Sequence, residues 1–157
     1  GQSYQSLAHD INLFRELDLD MIGVGPFIPC PGTPLAENPI AYALAGGSDQ
    51  VKNDDLTTFK TLALTRLVRP DANLPSTTAL GTINPKQGRH LGLQRGANIV
   101  MPNFTPMPYR KMYAIYPDKA SLSESADHID IGESELRQQI RALGRRVGTG
   151  QGGRARS

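Results

Sequence analysis

The chain has 157 residues, of which 38% are hydrophobic and 20% charged, and a formal net charge of +2. That composition suits one soluble globular domain or part of one, and so balanced a charge gives nucleic acid little to bind. No apolar run approaches the ~20 residues needed to cross a bilayer, and no signal-peptide pattern opens the chain. A cytoplasmic protein is expected, with neither a nucleic-acid nor a membrane partner.

From Gly1 the chain runs into a helix over residues 3–17, with Leu7, Ile11, Phe14 and Leu17 on one stripe. Residues 20–25, DMIGVG, then alternate: Ile22 and Val24 fall on one face, Met21, Gly23 and Gly25 on the other. The branched pair is expected against the helices. The two glycines leave room for a ligand or a neighbouring backbone on the opposite face. Residues 26–34 hold Pro26, Pro29, Pro31 and Pro34, so a stiff, extended loop leaves the C-terminal end of the strand. A rigid connector and a loop that carries chemistry are equally compatible with it. Residues 36–53 have loop composition and read as a surface excursion.

Asp54 or Asp55 is placed to cap a second helix with the stripe Leu56, Phe59, Ala63 and Leu67, ended by Pro70. Residues 74–79 form the second strand candidate, with the hydroxyls of Thr77 and Thr78 near its C-terminal end. Threonines in strands usually reflect β propensity alone. A short helix over 85–96 stops at Gly96, and residues 98–101 form the third strand candidate, ending in Met101. Tyr109, Tyr113 and Tyr116 then stack on one side of a helical turn sequence, a pattern found more often as half-buried packing than as a ligand box. Glu133 and Glu135 open a last helix carrying Leu136, Ile140 and Leu143, in a charge order that suits the helix dipole. The arginines at 141, 145, 146, 154 and 156 read as a cationic helix end followed by a disordered tail.

Strands alternating with helices predict an α/β fold with parallel pairing. A closed (β/α) barrel needs eight strands and roughly 250 residues. The fold class expected is therefore the C-terminal portion of a (β/α) TIM-type barrel, about three parallel strands with flanking helices. Residues 1–146 form that portion, and 147–157 a flexible Gly/Arg tail.

Chemistry has little motif support. The single cysteine, Cys30, rules out an intrachain disulfide, and His9, His90 and His128 are far apart in sequence without partners at ligand spacing. There is no GxSxG elbow, P-loop or strand-following GxGxxG, and no pair of carboxylates at strand ends. No catalytic residue and no metal ligand is nominated. The chemistry is expected from a cofactor or from residues outside the chain.

Several whole phrases carry a resemblance: DMIGVGPFIP at 20–29 with TPL at 33–35, ALTR at 63–66, PSTTALGT at 75–82, GANIVMPN at 96–103, Tyr109-Arg110, and YAIYP at 113–117. Together they resemble the C-terminal half of the HydE family of [FeFe]-hydrogenase maturases, radical S-adenosylmethionine (SAM) enzymes near biotin synthase. PFIP, TTALGT and MPN are the segments that separate it from biotin synthase. The resemblance implies a complete barrel whose front half carries a CxxxCxxC loop holding a [4Fe-4S] cluster, where SAM is cleaved to a 5′-deoxyadenosyl radical. Both cofactors, SAM and the cluster, would be ligated by residues outside this chain, so the chain alone is expected to be inactive.

The same resemblance places Met21, Pro26, Phe27 and Ile28 beside SAM, and Thr77, Thr78, Met101, Tyr113 and Tyr116 along the substrate cavity. It implies a small cysteine-derived organometallic precursor as substrate, and other hydrogenase maturation proteins as partners. The family typically has histidine where this chain has Cys30, so Cys30 is not a cluster ligand by resemblance; residues 36–53 are longer than is usual there. Two rivals stand beside this reading: a fragment of a biotin synthase or methylornithine synthase-like enzyme, and a non-catalytic half-barrel binding module.

Overall fold

The computed structural model describes residues 1–43, 47–102, 105–110, 112 and 133–154. Helix α1 spans Tyr4–Glu16 and starts where the Ser3 hydroxyl accepts the Ser6 N–H at 3.0 Å. Helix α2, Pro34–Glu37, is capped by Thr33, and a 3₁₀ turn follows over Pro39–Tyr42. The excursion predicted over 36–53 is thus partly helical. Its far end is tied to the chain start by the Tyr4 N–H to Asp49 O bond at 3.0 Å and the Val51 N–H to Gln2 O bond at 2.8 Å.

Helix α3 covers Asp55–Val68, and the Asp54 carboxylate accepts the Thr57 N–H at 2.7 Å; hydrogen bonds from the Thr57 side chain and then from this N–H lower the pKa of Asp54. Strand β1 is Pro75–Ser76, followed by α4, Thr78–Ile83, and α5, Gly88–Gln94. Strand β2 is Ile99–Val100; α6, Met107–Arg110, and α7, Glu133–Ala142, follow.

Strands β1 and β2 pair in parallel, Pro75 opposite Ile99 and Ser76 opposite Val100. Residues 20–25 join this sheet through one parallel bridge, Met21 with Asn73, where the Ile22 N–H donates to Asn73 O at 2.9 Å. The fold is therefore mixed helix and strand around a two-stranded parallel sheet that this bridge extends. It is smaller than the three strands expected.

The core lies between sheet and helices: Ile22, Phe59, Leu62, Ala72, Leu74 and Leu80 are buried together, with Phe14, Leu19, Val24 and Leu91 packed around them. The alternation of residues 20–25 holds, because Ile22 enters this core while Met21 stays 53% exposed. The stripe expected on α3 holds only in part. Phe59 of that stripe is buried, but Leu56 and Leu67 are exposed, and Thr58, Thr61, Leu62 and Thr65 are buried beside Phe59 in their place. Thr58 and Thr61 tolerate burial because they donate their hydroxyls to the carbonyls of Asp54 and Thr57, each at 2.9 Å, one turn back, whereas the buried Thr65 hydroxyl has no partner among the described residues. Leu17, expected on the buried stripe of α1, is also exposed. The third helix is shorter than 85–96 and begins at Gly88.

Polar groups bolt the N-terminal ends of the strands. Arg66 donates through Nε to Gly96 O at 2.9 Å, through Nη1 to Pro70 O and Ala72 O at 2.8 Å each, and through Nη2 to Asn98 Oδ1 at 2.9 Å. Asn98 Oδ1 also accepts the Leu74 N–H at 2.7 Å. Nearby, Asp18 turns the chain out of α1 with a positive φ of 49° and is paired with Arg69 and Arg154, each at 2.8 Å. Arg154 also meets Asp20 and Asp71 at 3.3 Å, and its side chain is only 5% exposed. The sequence reading found no anchor within 147–157; Arg154 is one.

Candidate functional site

Parallel pairing puts bridged residues on the same face, and alternation carries that face along each strand. The Met21–Asn73 and Pro75–Ile99 pairs therefore align Met21, Gly23 and Gly25 with Asn73, Pro75 and Thr77, and with Ile99 and Met101. Met21 and Met101 keep 53% and 49% of their surface exposed on this face, while Ile22 and Leu74 point the other way into the core.

At the C-terminal end of the face, Gly25 lies against Thr77. A Cβ on Gly25 would fall 2.9 Å from Thr77 Oγ1, so the missing side chain is what lets the two segments approach. Thr77 is not a strand residue, as the sequence had suggested. The strand ends at Ser76, and Thr77 caps α4 by accepting the Leu80 N–H at 3.3 Å. Thr78 is the first residue of α4, with its carbonyl accepting the Thr82 hydroxyl at 3.0 Å. A threonine at the junction serves the helix better than the strand, because its hydroxyl replaces a missing intrahelical acceptor.

Beyond Gly25, Pro26 is buried, Ile28 half-buried, and Phe27 47% exposed. The Asn53 amide clamps the Phe27 main chain from both sides: Phe27 N–H donates to Asn53 Oδ1 at 2.7 Å, and Asn53 Nδ2 donates to Phe27 O at 2.6 Å. Sequence reasoning missed Asn53, which stands 26 residues away; its place just before the Asp54 cap was the only available signal.

A hollow of about 750 Å³ opens beside this loop, walled by Pro26, Phe27, Asn53, Phe14, Tyr42 and Lys52, among others. It takes in two of the four residues expected near SAM. Met21, Ile28, Thr77, Thr78 and Met101 are not on its wall. Tyr113 and Tyr116 lie outside the described residues, and Tyr109 is exposed. A second hollow of about 320 Å³ lies between β2 and α7, over Ile99, Val100, Leu136 and Ile140 with Arg145 at its rim.

No group of three His, Cys, Asp or Glu side chains among the described residues stands close enough to hold a metal ion. Among them, too, no helix is long and apolar enough to cross a membrane. Cys30 is half-buried, its carbonyl accepting the Thr33 hydroxyl at 2.7 Å.

These features define a mixed helix and strand protein with a small parallel sheet, in which Gly25 and Thr77 meet beyond the strand ends and Pro26 and Phe27 share one hollow. No family model matches the chain. Among curated proteins, it is 44% identical over 156 residues to the "[FeFe] hydrogenase maturase subunit HydE" of Thermotoga maritima. The alignment takes in 99% of this chain and 40% of the relative, so the chain spans two fifths of the length of the protein it matches. The likeness to the C-terminal part of HydE expected from the sequence phrases is thereby shown.

Proposed function

We propose that this chain forms the C-terminal part of a radical SAM maturase that acts in assembly of the [FeFe]-hydrogenase active site. The observation that carries the reading is the 44% identity to HydE, sustained along 99% of the chain. In this reading, residues 1–146 are a portion of a (β/α) barrel in a cytoplasmic protein. Met21 with the Pro26-Phe27-Ile28 loop borders SAM, and Thr77, Thr78, Met101, Tyr113 and Tyr116 line the cavity for a small cysteine-derived organometallic substrate. Other hydrogenase maturation proteins are its partners.

The residues present suit SAM. The exposed ring of Phe27 lines one hollow with Gly23, whose Cβ would meet nothing within 4 Å, which leaves room for a ligand with an apolar body. They do not suit an iron-sulfur cluster, since the described residues offer no ligand set; its cysteines belong to polypeptide outside this chain. SAM bound beside such a cluster supplies a carbon-centred radical. This chain's part is to bind, orient and keep dry. Thioether and aromatic side chains give the ligand a dry, close-fitting wall that limits side reactions, and threonine hydroxyls orient the polar end of a small substrate. Contact of Gly25 with Thr77 supports the reading, because it makes the cofactor loop and the substrate wall neighbours.

The test is the complete protein, expressed from its whole reading frame without oxygen and loaded with iron and sulfide. It should contain an upstream CxxxCxxC, cleave SAM to 5′-deoxyadenosine, and restore hydrogenase activity to a maturation mixture lacking HydE. A complete protein with no such motif and no SAM binding would overturn the proposal.

A further inference from the structure

We infer that Asn53 is a positioning residue for the cofactor loop, holding the Phe27 peptide in the one orientation that receives SAM; the inference rests on the assignment of Phe27 to the SAM region. Pro26, Pro29 and Pro31 have no N–H to donate, so the loop has few main-chain groups with which to tie itself to the sheet. Asn53 substitutes for the absent neighbouring strand. Its amide presents one acceptor and one donor to the two polar groups of a single residue, at 2.7 and 2.6 Å, the pairing that a facing residue of an antiparallel strand would offer through its own C=O and N–H.

The clamp is itself held. Asn53 immediately precedes Asp54, which is fixed at the N-terminus of α3 by the Thr57 N–H at 2.7 Å, and α3 is anchored in the core through Phe59 and Leu62. A rigid helix thus transmits its position through one side chain to an otherwise weakly tied loop. The Phe27 N–H and one acceptor site of its carbonyl are engaged in this contact, so Phe27 meets a ligand chiefly with its exposed ring, and the clamp sets the backbone from which that ring projects. Release of the clamp spreads the loop over several conformations, and the apparent affinity falls by the fraction that remains competent.

The experiment uses the complete cluster-loaded enzyme carrying Asn53→Ala or Phe27→Ala, in this chain's numbering. Three quantities are compared with wild type: the Kd for SAM, SAM cleavage at saturating SAM, and hydrogen exchange of the Phe27 amide without SAM. Asn53→Ala should accelerate exchange at Phe27 and raise the Kd roughly ten-fold, with cleavage at saturation changed less than about two-fold. Phe27→Ala should also raise the Kd. If Phe27→Ala leaves SAM binding unchanged, the assignment of Phe27 fails. If Phe27→Ala weakens binding while Asn53→Ala does not, or leaves Phe27 exchange at the wild-type rate, the positioning role alone fails. Equal loss in Kd, saturated rate and melting temperature on Asn53→Ala would mean a general structural role and would also overturn it.

Discussion

Gly25 and Thr77 meet where two parallel segments end, and the hydroxyl that caps α4 fills the space a Gly25 side chain would need, 2.9 Å from its Cβ position. A Gly25→Ala substitution must therefore push Thr77 off its capping rotamer. It should cost about 1–2 kcal/mol, close to the loss of a cap. Thr77→Ala alone should cost about 1 kcal/mol, and adding Gly25→Ala to it should cost little more, because the obstructing oxygen has gone. Urea denaturation of the two single variants and the double variant measures the coupling. Additive costs would show that the two residues do not share the space.

Arg66 answers a different demand at the other end of the strands. Its guanidinium satisfies carbonyls of Gly96, Pro70 and Ala72 and the Asn98 side chain at once, which requires a planar fork with several donors. Arg66→Met should destabilise by about 2–4 kcal/mol, since it strands these acceptors. Arg66→Lys should recover less than about half of that loss, because an ammonium serves fewer acceptors in one plane. Chemical denaturation midpoints check both values, and a lysine variant as stable as wild type would refute the geometric account.

The strand alternation at Met21 to Gly25 was legible because a period of two is written directly in the residue types: branched Ile22 and Val24 against Met and Gly. The α3 face was not. Leucine outranks threonine on any hydrophobic scale, yet Thr58, Thr61 and Thr65 are buried and Leu67 is 78% exposed. The face is set by long-range demands invisible to periodicity: Arg66 must reach Gly96 and Arg69 must reach Asp18. Thr77 was misread for a related reason, as its capping role depends on where the strand stops. Asn53 and Arg154 act across 26 and 136 residues of sequence, where no spacing rule operates.

That rotation of α3 predicts a contrast between two leucines five residues apart. Leu62 is fully buried beside Ile22, Leu74 and Leu80, so Leu62→Ala should cost about 2–5 kcal/mol through lost burial and an unfilled cavity. Leu67→Ala should change stability by no more than about 0.5 kcal/mol. Denaturant midpoints at equal m-value decide the matter, and a loss at Leu67 as large as or larger than that at Leu62 would mean that Leu67 is not exposed as the structure has it.

The last expectation concerns acid. Hydrogen bonds from Arg154 and then Arg69 hold the Asp18 carboxyl far below the ordinary carboxylate range, and the Asp18 bond in turn raises the pKa of Arg154. Asp20 and Asp71 face the same arginines, so the cluster is an interlocked group of charges rather than one pair. A carboxyl whose pKa is lower in the folded than in the unfolded chain stabilises fully above the unfolded value of about 4. Below that value the unfolded chain takes up a proton the folded one refuses, and the contribution fades as pH falls towards the folded pKa. Asparagine tolerates the positive φ of 49° at this position, so Asp18→Asn removes the charge without disturbing the turn. The melting temperature of Asp18→Asn should lie below that of wild type by a constant interval from about pH 7 to 5, and the interval should narrow as the pH drops below about 4. Arg154→Ala should shrink the effect of Asp18→Asn at neutral pH, because one of the two guanidiniums that depress the carboxyl is gone. An interval between wild type and Asp18→Asn that widens on acidification would mean that Asp18 is not held ionised by these arginines.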